Sequence, residues 1–420
     1  MEGRESLTEF LSTQRAEMQE EGSPLTGLRV IDLATVVAGP FAATVLGDYG
    51  AEVIKVENPR APDATRSWGV IQDKEIEPFW AVFGRNKFPV QLDLKSDPGR
   101  EAFQDLVRES DVLIQNMRPG ALSRLGLGQP ELLKINPGLI IGSVSGYGQT
   151  GPYSNRPGFG TLAEGFSGYT HLNAHPDGPP TNPPLALADL ITGVHLALAI
   201  MIALRGQERG LKGGQEIDIS LYEPLFGMLG PDYLSYFLTG RNPVPKGNEL
   251  SYVAPRNSYQ TSDGKWVSLS GAAQKPFERL MEAAGHPEMN QDPRFMTNEE
   301  RIKDENRAVV NRVIGRWLGA MEFKEALAEC ERLGVTIGPI MTMADIDQDP
   351  HYRDRSSLTE LTDPATGAAL KMPGPPFRLA RGPGRIRFPG LPPGSANEII
   401  LGEVLGYPAQ RIKGLNKAAG

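Results

Sequence analysis

Apolar positions in the early part of the chain fall into alternating short runs and helical spacings. GLRVIDLA puts Leu28, Val30, Ile31 and Leu33 in one compact stretch that reads as a buried strand. A Gly39-Pro40 turn and a helix of small residues follow. AEVIKVE then reads as a second strand ending at Glu57. Strand, turn, helix and strand in this order make a βαβ unit, which implies parallel strands. PGREAFQDLVRES reads as an amphipathic helix with Pro98 at its start, and DVLIQN as a strand. GALSRLGL and PELLKIN read as short helices, and GLIIGSVSGYG as another strand. This alternation over residues 25–150 predicts an α/β fold with a doubly wound parallel sheet.

The pattern changes at Pro183–Leu204, PPLALADLITGVHLALAIMIAL. One acidic residue, Asp189, precedes an almost unbroken apolar run. A helix apolar on nearly every face belongs in the middle of a large core. Thr192 and His195 interrupt the run, which is read as shorter than a bilayer span, so no membrane contact is expected. Asp189 lies at the mouth of this helix, where backbone N–H groups and the helix dipole favour an ionised carboxylate. Such a group is either a helix cap or a nucleophile. The residues alone leave both open.

Further on, GGQEIDISLYEPLFGMLGPDYLSYFLTG reads as a strand leading into a long helix. Near Pro243 the composition turns polar and rich in Pro and Gly. Residues 245–345 have a pattern of their own. RNSYQTSDGKWVSLSG predicts a hairpin with an Asp263-Gly264 turn, and KPFERLMEAAG, RAVVNRVIGRWLGAM and KEALAECERLG predict amphipathic helices. From Asp345 the chain is loop-rich, too irregular for a free-standing domain. NEIILGEVLGYPAQRIKGL predicts a closing helix. The expected layout is a polar, partly helical arm over 1–24, a large domain over 25–244, a smaller α+β domain over 245–345, and a C-terminal segment over 346–420.

Charge and composition narrow the classes. The chain has 420 residues and a net charge of −8, with no basic footprint for nucleic acid. Cys330 is the single cysteine, so no intrachain disulfide framework exists, which fits a reducing, cytoplasmic compartment. It sits in KEALAECERLGV at helical spacing and reads as a buried core thiol. The first 22 residues carry six acidic and two basic residues and no apolar run, which fits neither a signal peptide nor a transit peptide.

Two features suggest ligand chemistry. Glu57 ends the second strand, where dinucleotide-binding folds place an acid for the ribose. The first turn, however, reads Val37-Ala38-Gly39-Pro40-Phe41, and proline removes a donor that a pyrophosphate would use. Glu57 then reads as a solvated strand end. Asn116-Met117-Arg118-Pro119-Gly120 follows a strand, at the sheet edge where α/β folds bind ligands. Arg118 and Arg124 flank a helix start there, and Lys87 and Lys95 lie upstream; together they are candidates for phosphate contacts, while taken singly each reads as a solvated surface charge.

Several long blocks carry a resemblance: GLRVIDLATVVAGPFAATVLGDYGAEVIKVE, RNKFPVQLDLKSDPGREAF, DVLIQNMRPGALSRLGLG, SVSGYGQTGPYSNRPGFGTLAEGFSGY and ALADLITGVHLALAIMIALRGQERGLKGGQEIDISLYE. In this order, from Leu25 towards the C-terminal tail, the chain resembles the class III coenzyme A transferases. The resemblance implies that Asp189 is a nucleophile that forms an acyl-aspartyl anhydride and then an aspartyl-CoA thioester. It implies acyl-CoA as substrate, with no tightly bound cofactor and no metal. It places CoA against Leu92, Lys95, Asn116, Met117, Ala121 and Arg124, and the thioester near Val36 and Val37. Asn58 stands where some members have Arg, so that phosphate contact is either missing or supplied by Arg60, and Val37 stands where one has Gln, which puts a polar contact to the bound intermediate in question. Ser270-Gly271-Ala272-Ala273-Gln274 matches the glycine-rich loop that closes over the acyl site in some members, and reads equally as a plain strand-to-helix turn. Alanines at 272 and 273 make it stiffer. The resemblance also implies an interlocked homodimer.

Two other readings compete. Racemase relatives use a histidine in a Gly-His-Asp block, and the matching place here is Arg156-Pro157-Gly158-Phe159-Gly160. Phenylalanine cannot move a proton, so Phe159 either lines the acyl pocket or packs in the core. A non-catalytic acyl-CoA-binding protein needs no buried carboxylate and would suffer from one beside a thiolate. Arg156, Arg256 and Lys275 are candidates to pair with a second carboxylate on the acid.

Overall fold

The computed structural model describes residues 6–71 and 76–417. Residues 1–5 of the expected N-terminal arm and 418–420 of the C-terminal segment lie outside the described residues. The chain divides into two compact units: residues 1–169, 182–234 and 351–420 in the first, and 170–181 and 235–350 in the second. The second unit therefore begins before the composition break near Pro243. It also takes in an earlier segment, held by the Gly247 N–H donating to the Ala174 carbonyl at 2.9 Å.

In the first unit, β1 (Arg29–Asp32), β2 (Glu52–Glu57), β3 (Lys87–Gln91), β4 (Val112–Gln115), β5 (Ile140–Ser145) and β6 (Gln215–Ser220) form one sheet in the order 3-2-1-4-5-6. Every pairing is parallel. This is the doubly wound arrangement that the alternating pattern predicts. Side chains alternate across the sheet, so β1, β2, β4 and β5 each feed two cores. Ile31, Ile54, Phe88, Leu113 and Ile141 face one core, with Phe103 of the Asp97–Arg108 helix. Val30, Val53, Val112 and Ile140 face the other, with the Ala38–Asp48 and Leu187–Glu208 helices.

The N-terminal segment is helical in part, as expected, but it also packs into the fold. Leu7–Glu20 is a helix with a Ser6–Glu9 capping box, and it buries Leu11 and Met18 in the first core. Arg15 anchors it to Glu52 of β2 at 2.5 Å. The C-terminal segment adds Phe388, Leu391, Ile399 to Leu401 and Ile412 to that core. It also contains a hairpin, β10 (Leu358–Thr362) with β11 (Ala369–Pro373), which the pattern did not show. The expected single closing helix breaks. A turn at Gly406, with φ +67°, and Pro408 separate a short helical stretch from Ala409–Lys417. The long helix expected after β6 also divides, into Glu223–Met228 and Gly230–Thr239, with Pro231 entering the second piece.

The second unit holds β7 (Arg256–Gln260), β8 (Trp266–Ser270) and β9 (Thr336–Pro339) in an antiparallel sheet. The β7–β8 hairpin and the helices Gln274–Ala283, Asp304–Gly319 and Phe323–Leu333 match the sequence pattern. Cys330 is fully buried among them, and burial pushes its thiol up to about 11.

The Leu187–Glu208 helix corrects two expectations. It runs 22 residues, enough by length and composition to cross a bilayer, although it lies on the sheet of an α/β unit. Only one side is buried in this chain. Thr192, Gly193, Leu196, Ala197, Ile200 and Ala203 face the core, while Val194, Leu198 and Ile202 are exposed by half or more.

Candidate active site

The turn after β1 is held by buried charge. Val36 has φ +70°, a left-handed conformation that a β-branched residue rarely adopts. Its N–H donates to both carboxylate oxygens of Asp63, at 3.2 Å each. Asp63 also accepts from the Thr65 N–H at 3.0 Å and hydroxyl at 2.8 Å, and pairs with the fully buried Lys55 at 3.2 Å. Lys55 donates to the Ala34 carbonyl as well. Burial works to depress the Lys55 ammonium, but Asp32, Asp63 and Glu57 overturn it, and the net shift is upward.

Two expectations fail here for the same reason. Lys87 is no phosphate ligand: it is fully buried and donates to Asp32 at 2.8 Å and to the Pro40 carbonyl at 2.7 Å. Glu57 is not a solvated strand end; it is buried and pairs with Arg66 at 2.6 Å. Charges with no access to water are tolerated only when paired and hydrogen-bonded.

Strand order reverses between β1 and β4, and an open α/β sheet forms its crevice at that point. Asn116 bridges the two loops there: the Thr35 N–H donates to Asn116 Oδ1 at 2.9 Å, and Asn116 Nδ2 donates to the Thr35 carbonyl at 2.6 Å. Val36, Val37, Asn116 and Met117 are thus gathered at one edge. Met117 packs on the cluster that contains Leu92. Ala121 and Arg124 occupy the short helix after Gly120, with Arg124 exposed, and Lys95 is exposed beyond β3. Val37 and Leu92 are buried, so their side chains serve packing.

Asp189 lies in the first turn of the Leu187–Glu208 helix, whose N-cap, Ala186, makes no side-chain cap bond. Asp189 is therefore not the cap. A Cβ built on Gly160 would stand 1.9 Å from Asp189 Oδ2, so the carboxylate rests against a bare glycine α-carbon. Gly160 begins the Gly160–Phe166 helix, and Glu164 follows one turn later. Glu164 is buried, and its Oε1 accepts the Ala188 N–H at 3.3 Å. Burial, and next the Glu164 charge, push the Asp189 carboxyl up to about 6, against a bond from its own backbone N–H. The helix N-terminus was expected to favour the ionised form, but desolvation outweighs it.

Gly193, one turn beyond Asp189, links the two regions. A Cβ there would lie 2.7 Å from the Ala38 carbonyl oxygen and 3.1 Å from the Phe41 ring. The first turn of the Ala38–Asp48 helix thus packs directly on the Asp189 helix. Phe159 precedes Gly160 with its side chain 64% exposed, which rules out core packing. In the second unit, the Gly271 N–H donates to the Pro255 carbonyl at 3.0 Å. The buried Arg301 donates to the Ala272 carbonyl at 2.7 Å and to Gln274 Oε1 at 2.9 Å. Among the described residues, no group of three or more His, Cys, Asp and Glu is placed to hold a metal.

Gly160, Glu164, Asp63 and Lys55 were not singled out from sequence. Only Glu164 left a visible sign there, as a charge inside the otherwise small and apolar run GTLAEGF.

A family model described as CoA-transferase family III matches residues 25–397. The chain belongs to this family. It is 38% identical to the succinyl-CoA–L-malate CoA-transferase beta subunit of Chloroflexus aurantiacus, over 93% of this chain and 96% of the relative. It is 34% identical to an acetyl-CoA:oxalate CoA-transferase of Acetobacter aceti, over 88% of this chain and 92% of the relative. A CaiB/BaiF family protein from Brucella suis superposes with a TM-score of 0.79 at 32% identity, covering 91% of this chain and 99% of that one. This class III CoA-transferase is an enzyme acting on CoA thioesters, and the crevice and the Asp189 carboxylate occupy the same unit.

Proposed function

We propose that this class III CoA-transferase moves CoA between two carboxylic acids through covalent adducts on Asp189. An Asp189 oxygen attacks the acyl-CoA carbonyl carbon. A C–O bond forms, the C–S bond breaks, and the electron pair leaves on sulfur as CoA thiolate. The thiolate attacks Cγ of the resulting anhydride, expelling the donor acid as its carboxylate and leaving an aspartyl-CoA thioester. An acceptor carboxylate then attacks Cγ and displaces the thiolate, which takes the acceptor acyl group and restores Asp189. No net proton is exchanged, and one difficult displacement becomes a series of easier ones.

The observation that carries this reading is the half-buried Asp189 carboxylate, uncapped and against Gly160. A carboxylate with its pKa raised to about 6 is more basic, hence more nucleophilic, than one in water, and remains mostly ionised at neutral pH. The crevice at Val36, Val37, Asn116 and Met117, with Leu92, Lys95, Ala121 and Arg124 around it, is the CoA site in this reading. The relatives' names, succinyl-CoA with L-malate, D-citramalate or glutarate, favour succinyl-CoA as donor and a short dicarboxylic acid as acceptor. The exposed Val194, Leu198 and Ile202 stripe supports a homodimer that covers it, and the lone buried thiol supports a cytoplasmic enzyme.

The test pairs Asp189→Ala with a panel of succinyl-, acetyl- and formyl-CoA against malate, citramalate, glutarate and oxalate. Wild type exchanges at least one pair, while the variant binds CoA and exchanges none. Full-speed exchange by Asp189→Ala overturns the reading.

A further inference from the structure

Glu164 is a buried acid with no step assigned to it. It lies one turn after Gly160 on the helix that touches Asp189, and its Oε1 accepts the N–H of Ala188, the residue just before Asp189. Two carboxylates thus share one poorly hydrated corner. An N-terminal helix turn is satisfied by a neutral acceptor such as Ser or Asn, so capping alone does not call for a buried charge.

We propose that Glu164 is a positioning residue that drives covalent capture: its charge raises the energy of the Asp189 carboxylate and favours the adducts in which Asp189 is neutral. The inference rests on Asp189 being the nucleophile. When Asp189 attacks the thioester, its negative charge leaves with the sulfur and the repulsion from Glu164 is relieved. The relief exists in the anhydride and the aspartyl thioester but not in the resting enzyme. An interaction that differs between ground state and adduct changes the rate, whereas one common to both does not. Carboxylates are poor nucleophiles towards thioesters, and anhydrides lie uphill, so this difference falls where the reaction needs it.

Other charged groups on the elements around the Asp189 helix have partners of their own. Asp48 pairs with Arg85. Glu216 accepts the Ser143 hydroxyl, Asp218 the Gln149 N–H, and Glu223 the Ser220 hydroxyl. His195, on the same helix, contacts the Ile191 carbonyl through Nδ1. The Tyr222 hydroxyl is held towards its neutral form by burial and Glu223. Glu164 is the side chain whose charge reaches Asp189.

Glu164→Gln separates charge from capping, because its amide oxygen still accepts the Ala188 N–H. The plateau kcat should fall about tenfold, the scale of a buried like-charge interaction. The acid limb of the pH–rate profile should move to lower pH, since Asp189 then ionises more easily. Mass spectrometry should show less Asp189 adduct at a fixed acyl-CoA concentration. Glu164→Asp, which keeps the charge, should hold its limb near the wild-type position. A lower kcat with an unmoved limb would reduce Glu164 to a structural cap and overturn the inference, as would unchanged kinetics. Wild type that forms no Asp189 adduct would instead sink the covalent reading, and this inference with it.

Discussion

Asp189 Oδ2 occupies the space a side chain on Gly160 would need: a Cβ there would lie 1.9 Å from it. The Gly160 φ is not in the left-handed region, so close approach, not backbone freedom, requires glycine at this position.

Gly160→Ala should therefore displace the carboxylate while leaving the helix start in place. A misplaced reacting group typically costs about 100-fold in rate. We expect a fall of that order in kcat, with CoA affinity and melting temperature little changed. Steady-state kinetics beside a CoA titration checks it, and ordinary turnover would show that the carboxylate works from another position.

Asp189 should make the enzyme less stable at neutral pH. Its pKa is about 6 in the fold, against 3.8 for an ordinary aspartate in water. A carboxyl raised in this way gives its full stabilisation below the unfolded value and loses it as pH rises through the folded value. Asp189→Asn should thus stabilise the protein at neutral pH by about 2 kcal/mol after allowing for partial solvent access. The gain should vanish near the unfolded pKa. Denaturant midpoints of the two proteins at acid and neutral pH test the sign. A loss of stability at neutral pH would contradict it.

The parallel sheet was legible because both its faces are covered, so its strands are short apolar runs between helical spacings. The β7–β8 hairpin was legible from Asp263-Gly264. The Asp189 helix misled because it is apolar all round, and periodicity then gives no direction; only the fold shows that Val194, Leu198 and Ile202 face outward. Lys87 and Asp32 pair across a wide separation in sequence, which no local pattern reveals. The break at Gly406 and Pro408 was present as a Gly-Tyr-Pro signal and was overrun by the apolar spacing around it. In the site, Asp189 stood out as a lone acid before an apolar run, while Gly160 acquires meaning only from the atom it faces.

Lys87→Met should strongly destabilise the first unit. It leaves Asp32 buried with Lys55 at 3.7 Å and takes a donor from the Pro40 carbonyl. Breaking a buried pair from one side costs roughly 3–5 kcal/mol. Adding Asp32→Leu to the same variant should recover part of the loss, because no carboxylate is then left facing the substituted side chain. Urea titrations of the single and double variants decide this. A single variant within about 0.5 kcal/mol of wild type, the range of ordinary surface changes, would contradict it.

The most direct test follows oxygen. In the exchange through Asp189, the bridging oxygen of the second anhydride comes from the acceptor acid and stays on the aspartate when the thiolate departs with the acyl group. Turnover with a carboxylate-¹⁸O acceptor, followed by peptide mass spectrometry, should place the label in the Asp189 side chain and nowhere else in the protein. Sustained turnover with an unlabelled Asp189 would contradict the account.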